Sequence, residues 1–240
     1  MDTQISELFT SLLRSGKPVR IKLLGDSITH GVGGDGFAQD GDFIVGDFRR
    51  NTNGYCWAKL LKEHLEANYN CQVINNACTG TTIQFTTQFF GELTDEADDL
   101  ILCTIGTNNR HLYYKNGPKP EKEAFATDAY EKILALHDKF LALGKPVIFV
   151  ANIPAAPDNE TDNPDAENGF WRILHMCDIN DLYKKAAAER GFLFISLYDL
   201  MTDYCNQTAT PLDSLLDDGL HPNNAGYRVM FTLLSQELGI

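Results

Sequence analysis

The sequence has no excess of positive charge. Its 20 Lys and Arg face 33 Asp and Glu, a formal net charge of -13, and its longest basic clusters are the pairs Arg49-Arg50 and Lys184-Lys185. A chain so charged repels nucleic acid and anionic membrane surfaces. It also lacks a long apolar run at its start. MDTQISELFTSLLRSGKPVR carries an acid at its second position and no apolar core, which argues against both a signal peptide and a membrane anchor. The six cysteines, at 56, 71, 78, 103, 177 and 205, include no CxxC pair. They read as free, mostly buried thiols in a reducing cytoplasm, not as a disulfide framework or a metal site. Internal repeats and low-complexity linkers are absent too. With 240 residues, 43% of them hydrophobic, the chain can bury one sizeable core and is expected to form a single domain over 1–240.

What is present is an alternation. Short apolar or β-branched runs occur at 19–25 (VRIKLLG), 71–77 (CQVINNA), 100–106 (LILCTIG), 146–153 (PVIFVANI) and 192–198 (FLFISLY). Between and after them lie segments of helical periodicity, the clearest at 55–69, 123–143, 171–190 and 224–238. Gly144 and Gly191 follow two of these, where a left-handed cap is expected. Nearly all-apolar strands, each followed by a helix, predict a parallel sheet covered on both faces. Ligands of such sheets bind beyond the carboxyl ends of the strands. The unusual polar residues stand at those ends: Gly25-Asp26-Ser27, Gly80, Gly106-Thr107-Asn108-Asn109 and Asn152. Three connections, 31–52, 110–120 and the acidic 155–169, are longer than turns need and are expected to shape a rim or to be plain solvated loops.

The stretch LLGDSITHGVGGDG (23–36) admits three readings. Gly31 to Gly36 matches G-x-G-x-x-G, but the glycines come several residues after the strand, no helix can open in GDGFAQDGDF, and the next strand ends in Asn75-Asn76 instead of an acid. A loose surface loop accounts for the glycines but not for Gly25-Asp26-Ser27 against the strand. A nucleophile accounts for Ser27, and it requires a base, a group to orient that base and donors for an oxyanion. Near the C-terminus, DDGLHPNNAGY sets Asp218 three residues before His221, ahead of a helix expected to open at Pro222. A carboxylate at that spacing can hold the imidazole tautomer while the other ring nitrogen faces a hydroxyl. Asp217 competes for the same role.

Taken together, Gly25-Asp26-Ser27-Ile28-Thr29, Gly80 in NNACTG, Asn108 in GTNN and Asp218-x-x-His221 resemble the four blocks of the SGNH hydrolases, also called GDSL esterases and lipases, in the family's order. The resemblance implies a flavodoxin-like three-layer α/β/α sandwich with about five parallel strands in the order 2-1-3-4-5. It implies Ser27 as nucleophile, His221 as general base and Asp218, favoured over Asp217 by the D-x-x-H spacing, as its orienting acid. The implied oxyanion hole is the backbone N–H of Ser27, the backbone N–H of Gly80 and the side-chain amide of Asn108. Two positions depart from the commonest pattern: Ile28 stands where many members have Leu, as in the GDSIT subgroup, and Asn109 stands where many have Asp, which changes how that loop is braced.

The other chemistry-bearing residues carry plainer expectations. Asp26 is expected to be a structural hydrogen-bonding residue of the turn. His30 is too close to Ser27 on a sharp turn to serve it. His111 is expected to be an exposed loop residue, although its place after Asn108 allows substrate contact. His64, His111, His137 and His175 have no acidic or Cys partner at metal-ligand spacing, so no metal is expected, and no cofactor. Cys78 and Cys103 read as packing residues, and Trp57 and Trp171 as core aromatics opening helices. The implied activity is hydrolysis of short-chain, especially acetyl, carboxylic esters in the cytoplasm. Its partner is a small-molecule ester, such as an acetylated carbohydrate, with no nucleic acid or membrane. The alternatives are a thioesterase or lysophospholipase with the same residues, a non-catalytic acyl- or carbohydrate-binding module and, least favoured, a nucleotide-binding domain.

Overall fold

The computed structural model describes residues 3–37, 54–163 and 169–240; most of the 31–52 connection, and 164–168 within the acidic one, lie outside the described residues. The strands are β1 (Val19–Gly25), β2 (Cys71–Asn75), β3 (Leu100–Thr104), β4 (His111–Tyr113), β5 (Val147–Ala151), β6 (Phe170–Arg172) and β7 (Leu193–Ser196). The helices are α1 (Thr3–Leu13), α2 (Ser27–His30), α3 (Trp57–Asn68), α4 (Ile83–Gln88), α5 (Phe90–Leu93), α6 (Lys122–Leu143), α7 (Met176–Arg190), α8 (Leu197–Thr208) and α9 (Asn224–Leu238).

Five strands form one sheet in the order β2-β1-β3-β5-β7, every pairing parallel. With the β4–β6 ribbon left aside this is the order 2-1-3-4-5. Successive strand residues point to opposite faces, and both sets are apolar. Ile21, Leu23, Leu100, Leu102, Ile148 and Val150 meet α1, α3, α8 and α9 through Phe9, Trp57, Leu61, Met201 and Met230. Leu24, Ile101, Cys103, Val147 and Phe149 meet the other layer through Ile83, Ile133, Phe140, Ile179 and Tyr183. This two-sided burial is why the strands read as unbroken apolar runs. From β1 the chain goes to β2 on one side and returns to β3 on the other, so the switch point, where α/β sheets open a crevice, lies between the carboxyl ends of β1 and β3.

Several boundaries differ from the sequence expectation. The helix predicted over 171–190 begins only at Met176. Trp171 instead lies in β6, paired antiparallel with Leu112 of β4, because Phe170 and Trp171 find aromatic and ribbon partners outside the sheet. The strand predicted over 192–198 stops at Ser196, whose hydroxyl accepts from Asp199 N–H and caps α8. Pro222 does not open the last helix; Asn223 caps it, its Oδ1 accepting from the N–H groups of Ala225 and Gly226. Gly144 and Gly191 close α6 and α7 in the left-handed conformation, as expected. Among the described residues, no helix is long and apolar enough to cross a membrane.

Candidate active site

The edge of the sheet at the β1–β3 switch point is built by three short turns. β1 ends at Gly25, and Asp26 caps the one-turn helix α2, its Oδ1 accepting from Ile28 N–H at 3.1 Å. Ser27 is the first residue of α2, so its own N–H has no acceptor within the helix. Beyond β2, Gly80 takes a φ of +76°, which a side chain would strain. Beyond β3, a 3-10 turn over Thr107–Arg110 carries Asn108, whose Nδ2 donates to the carbonyl oxygen of Thr81 at 2.9 Å. An amide nitrogen carries two hydrogens, so Asn108 can be anchored on the Gly80 loop by one and donate with the other.

His221 reaches this edge from far along the chain. Its Nε2 lies 2.8 Å from Ser27 Oγ, and its Nδ1 lies 2.7 Å from Asp218 Oδ2. The other oxygen of Asp218 accepts from the backbone N–H groups of His221 at 2.8 Å and Leu220 at 3.0 Å. Partial burial works against the charge on Asp218, but the hydrogen bonds from the His221 ring and backbone outweigh it and hold the carboxyl well below the usual carboxylate range. Asp217 meets His221 only through its backbone, donating its N–H to the His221 carbonyl oxygen at 2.7 Å. The structure thus brings Ser27, His221 and Asp218 into one hydrogen-bonded line and leaves the carboxylate of Asp217 out of it. A line of hydroxyl, imidazole and carboxylate can pass a proton from oxygen to nitrogen and stabilise the resulting imidazolium.

The glycines after Ser27 serve packing. Tyr227 donates its hydroxyl hydrogen to the Val32 carbonyl oxygen at 2.6 Å, and the backbone at Gly33 runs beneath the His221–Pro222 turn. At Gly34 a Cβ would fall 1.7 Å from the Tyr55 carbonyl oxygen. The G-x-G-x-x-G match is therefore a place where backbones meet, and among the described residues no helix opens on it.

Residues that no sequence motif singled out brace these turns. Arg110 is 1% exposed; its guanidinium donates to the Thr107 carbonyl oxygen, to Asn159 Oδ1 and, at 2.7 Å, to Glu160 Oε2. Glu160 Oε1 accepts from Met176 N–H and so also caps α7. Four residues upstream, Ala156 N–H donates to the Gly219 carbonyl oxygen at 2.8 Å. The 155–160 part of the acidic connection thereby ties the Asn108 turn to the turn of Asp218 and His221. Buried charges inside long polar loops read as solvated residues, so only their long-range pairing identifies them. Asn109 also braces: its Oδ1 accepts from Ile83 N–H at 2.9 Å and its Nδ2 donates to Gln84 Oε1 at 2.7 Å, fixing the start of α4.

The remaining histidines have local partners, His64 packing against Phe231 and His137 against Phe149 and Phe192. His30 faces the Thr79 hydroxyl at 2.9 Å. His111 is not an exposed loop residue: it lies half-buried in β4 against Tyr113 and Phe170, and burial together with Arg172 and Arg110 pushes its pKa down to about 4. His175 does have partners, since potential ligand atoms of His175, Cys177 and Asp178 lie within 4.8 Å of one another. Asp178, however, already accepts from His175 N–H and pairs with Lys122 at 2.8 Å. The cluster also sits on the first turn of α7, where the helix dipole disfavours a cation. All six cysteines are free thiols, and burial pushes that of Cys103 well up.

A parallel α/β sandwich with a Ser-His-Asp line at the carboxyl edge of its sheet has the frame of an acyl hydrolase. The chain belongs to the GDSL-like lipase/acylhydrolase family, whose model matches residues 23–229. No curated protein sequence matches it. Among solved structures it is similar to a catalytic mutant of Axe2, an acetylxylan esterase from Geobacillus stearothermophilus, with 17% identity over 92% of this chain and 94% of that one at a TM-score of 0.65. It is also similar to LAE5, an alpha/beta hydrolase enzyme from the metagenome of Lake Arreo, Spain, with 18% identity, coverage of 92% and 95% and a TM-score of 0.62. A lipase/acylhydrolase from Enterococcus faecalis aligns at 19% identity, 92% and 95% coverage and a TM-score of 0.60. At these identities the likeness is one of fold.

Proposed function

We propose that the chain is a serine esterase that cleaves short-chain, especially acetyl, carboxylic esters through an acyl-enzyme. The observation that carries this reading is the line from Asp218 through His221 to Ser27, at 2.7 and 2.8 Å. Ser27 Oγ adds to the ester carbonyl as His221 Nε2 takes its proton, and the carbonyl oxygen becomes an oxyanion. The N–H groups of Ser27 and Gly80 and the Asn108 amide are its donors. Collapse expels the alcohol, which takes the proton back from His221. Water then adds to the acyl-enzyme, giving a proton to His221, and the acid leaves as Ser27 recovers its hydrogen.

The substrate class to test first is an acetylated carbohydrate, the kind of ester named for Axe2, whose fold this chain shares. Two apolar layers on one sheet support a single catalytic domain over 1–240. Six unpaired thiols support a cytoplasmic setting.

The test is a series of p-nitrophenyl esters from acetate to octanoate, with Ser27→Ala alongside, followed by acetylated xylo-oligosaccharides. Turnover that is greatest for acetate and lost in Ser27→Ala is the expected result. Retained turnover in Ser27→Ala removes the nucleophile assignment, and a preference for octanoate moves the reading to a lysophospholipase or long-chain thioesterase.

A further inference from the structure

The acyl-transfer chemistry leaves unused a buried carboxylate one residue before Ser27 and a buried amide just past the end of β5. Asp26 is 0% exposed. Its Oδ1 accepts from Ile28 N–H at 3.1 Å, and its Oδ2 accepts from Asn152 Nδ2 at 3.0 Å. The same nitrogen lies 2.6 Å from Oγ1 of Thr107, the residue before Asn108, and the Thr107 hydroxyl also hydrogen-bonds to Asp26. One side chain thus fastens together the turns at three strand ends: α2 after β1, the Asn108 turn after β3 and Asn152 after β5.

The partners suit an anion. Ile28 N–H and the Asn152 amide donate to the carboxylate and the Thr107 hydroxyl can do so, so that three donors converge on the ionised form. Burial raises the carboxyl above its ordinary pKa, and the hydrogen bonds of Thr107, Ile28 and Asn152 and the nearness of His221 oppose that rise. Among the described residues, the charged groups that interact with Asp26 are His221 and Arg110, and Arg110 pairs with Glu160 at 2.7 Å. The other titratable groups coupled to it, Cys103, Tyr183 and Tyr227, are held neutral by burial. Asp218 takes the opposite ring nitrogen of His221 from the one that meets Ser27.

We propose that Asp26 is a positioning residue for the reaction: it holds Ser27 and Asn108 in one frame, and its negative charge supports the imidazolium that His221 becomes on taking the Ser27 proton. The inference rests on the esterase reading. A charge buried as Asp26 is acts over a longer distance than one in water, and it lowers the barrier because positive charge develops on His221 as the Ser27 proton arrives. A cap alone would need only Oδ1. The second oxygen, bound to Asn152 beyond β5, and the hydrogen bond to Thr107 beyond β3 are what a cap leaves unexplained.

The experiment is Asp26→Asn, with kcat and KM for p-nitrophenyl acetate measured across pH beside wild type and Ser27→Ala. kcat is expected to fall about ten- to a hundredfold with KM nearly unchanged. The acid-side midpoint of kcat/KM is expected to move down by about half a pH unit or more, because a negative charge near His221 is lost. An unchanged kcat, or a fall in kcat with an unmoved midpoint, overturns the proposal and leaves Asp26 a helix cap. Should Asp26→Asn not fold, Thr107→Val and Asn152→Ala keep the carboxylate but remove a donor. Activity should then be lost from a higher pH than in wild type, since a carboxylate with fewer donors takes up its proton more readily. Acid limbs unmoved in both variants overturn the proposal equally. Turnover in Ser27→Ala would instead overturn the esterase reading, so the two failures are distinguishable.

Discussion

Gly33 lies directly beneath Pro222: a Cβ on Gly33 would stand 2.6 Å from the Pro222 carbonyl oxygen and 3.1 Å from the Cβ of His221. The backbone there has a φ of +91°. Gly33→Ala therefore meets both strain and a clash, and the element able to yield is the turn that holds His221. The expected outcome is a loss of about 1 to 3 kcal/mol in urea unfolding together with a fall in kcat of about a hundredfold as the base is displaced. Normal turnover in a destabilised variant would show that the turn stays in place.

Asp218 and Asp217 are separable by substitution. Asp218→Asn should lower kcat about a thousand- to ten-thousandfold, because the amide no longer fixes the tautomer of His221 or balances its charge. Asp217→Asn, which keeps the backbone hydrogen bond to His221, should leave turnover near wild type. Since Asp218 is held well below the usual carboxylate range, it stays ionised throughout the working pH range. The acid limb of the wild-type profile should therefore report another group. Equal losses in the two variants would deny Asp218 its assigned role.

Asn108→Ala should lower kcat by about a hundred- to a thousandfold. The amide is anchored on Thr81 by one hydrogen, and its other hydrogen is the one assigned to the oxyanion. A rise in KM with unchanged kcat would make Asn108 a substrate contact instead.

His111 predicts a pH dependence of stability. Its pKa is pushed from 6.5 down to about 4 in the folded chain, so between those values the unfolded chain binds the proton more readily. Stability from this site is complete above about pH 6.5 and declines as pH falls toward 4, by at most about 3 kcal/mol. His111→Phe keeps the ring between Tyr113 and Phe170 and should flatten that part of the curve in thermal melts. A variant with the wild-type slope would place the acid sensitivity elsewhere.

Much of the site was legible because a parallel sheet gathers the carboxyl ends of its strands at one edge. Ser27, Gly80 and Asn108 each follow a recognisable apolar run, so their place at one edge of the sheet follows from the alternation and the strand order. His221 was legible from the spacing to its acid and its place before a helix. The β4–β6 ribbon was not. Trp171 sits in a stretch that continues naturally into helix α7, and only its pairing with Leu112 draws it into a strand. The short helices α4 and α5 escaped because such segments acquire their structure from the layers they cover, and α8 because its start, capped by Ser196, continues the apolar run of β7.

By itself the sequence determined the sheet, its two apolar faces and the residue types that stand where the strands end, since these follow from the period of side chains along a strand and from turn chemistry. The tertiary structure decided which of two adjacent carboxylates meets His221. A turn closed by the Asp217 N–H on the His221 carbonyl oxygen aims one side chain at the ring and the other away. It also decided that Asp26, Thr107 and Asn152 form one buried group and that Arg110 pairs with Glu160. Such choices depend on side-chain direction and on contacts between distant segments, and local spacing carries neither.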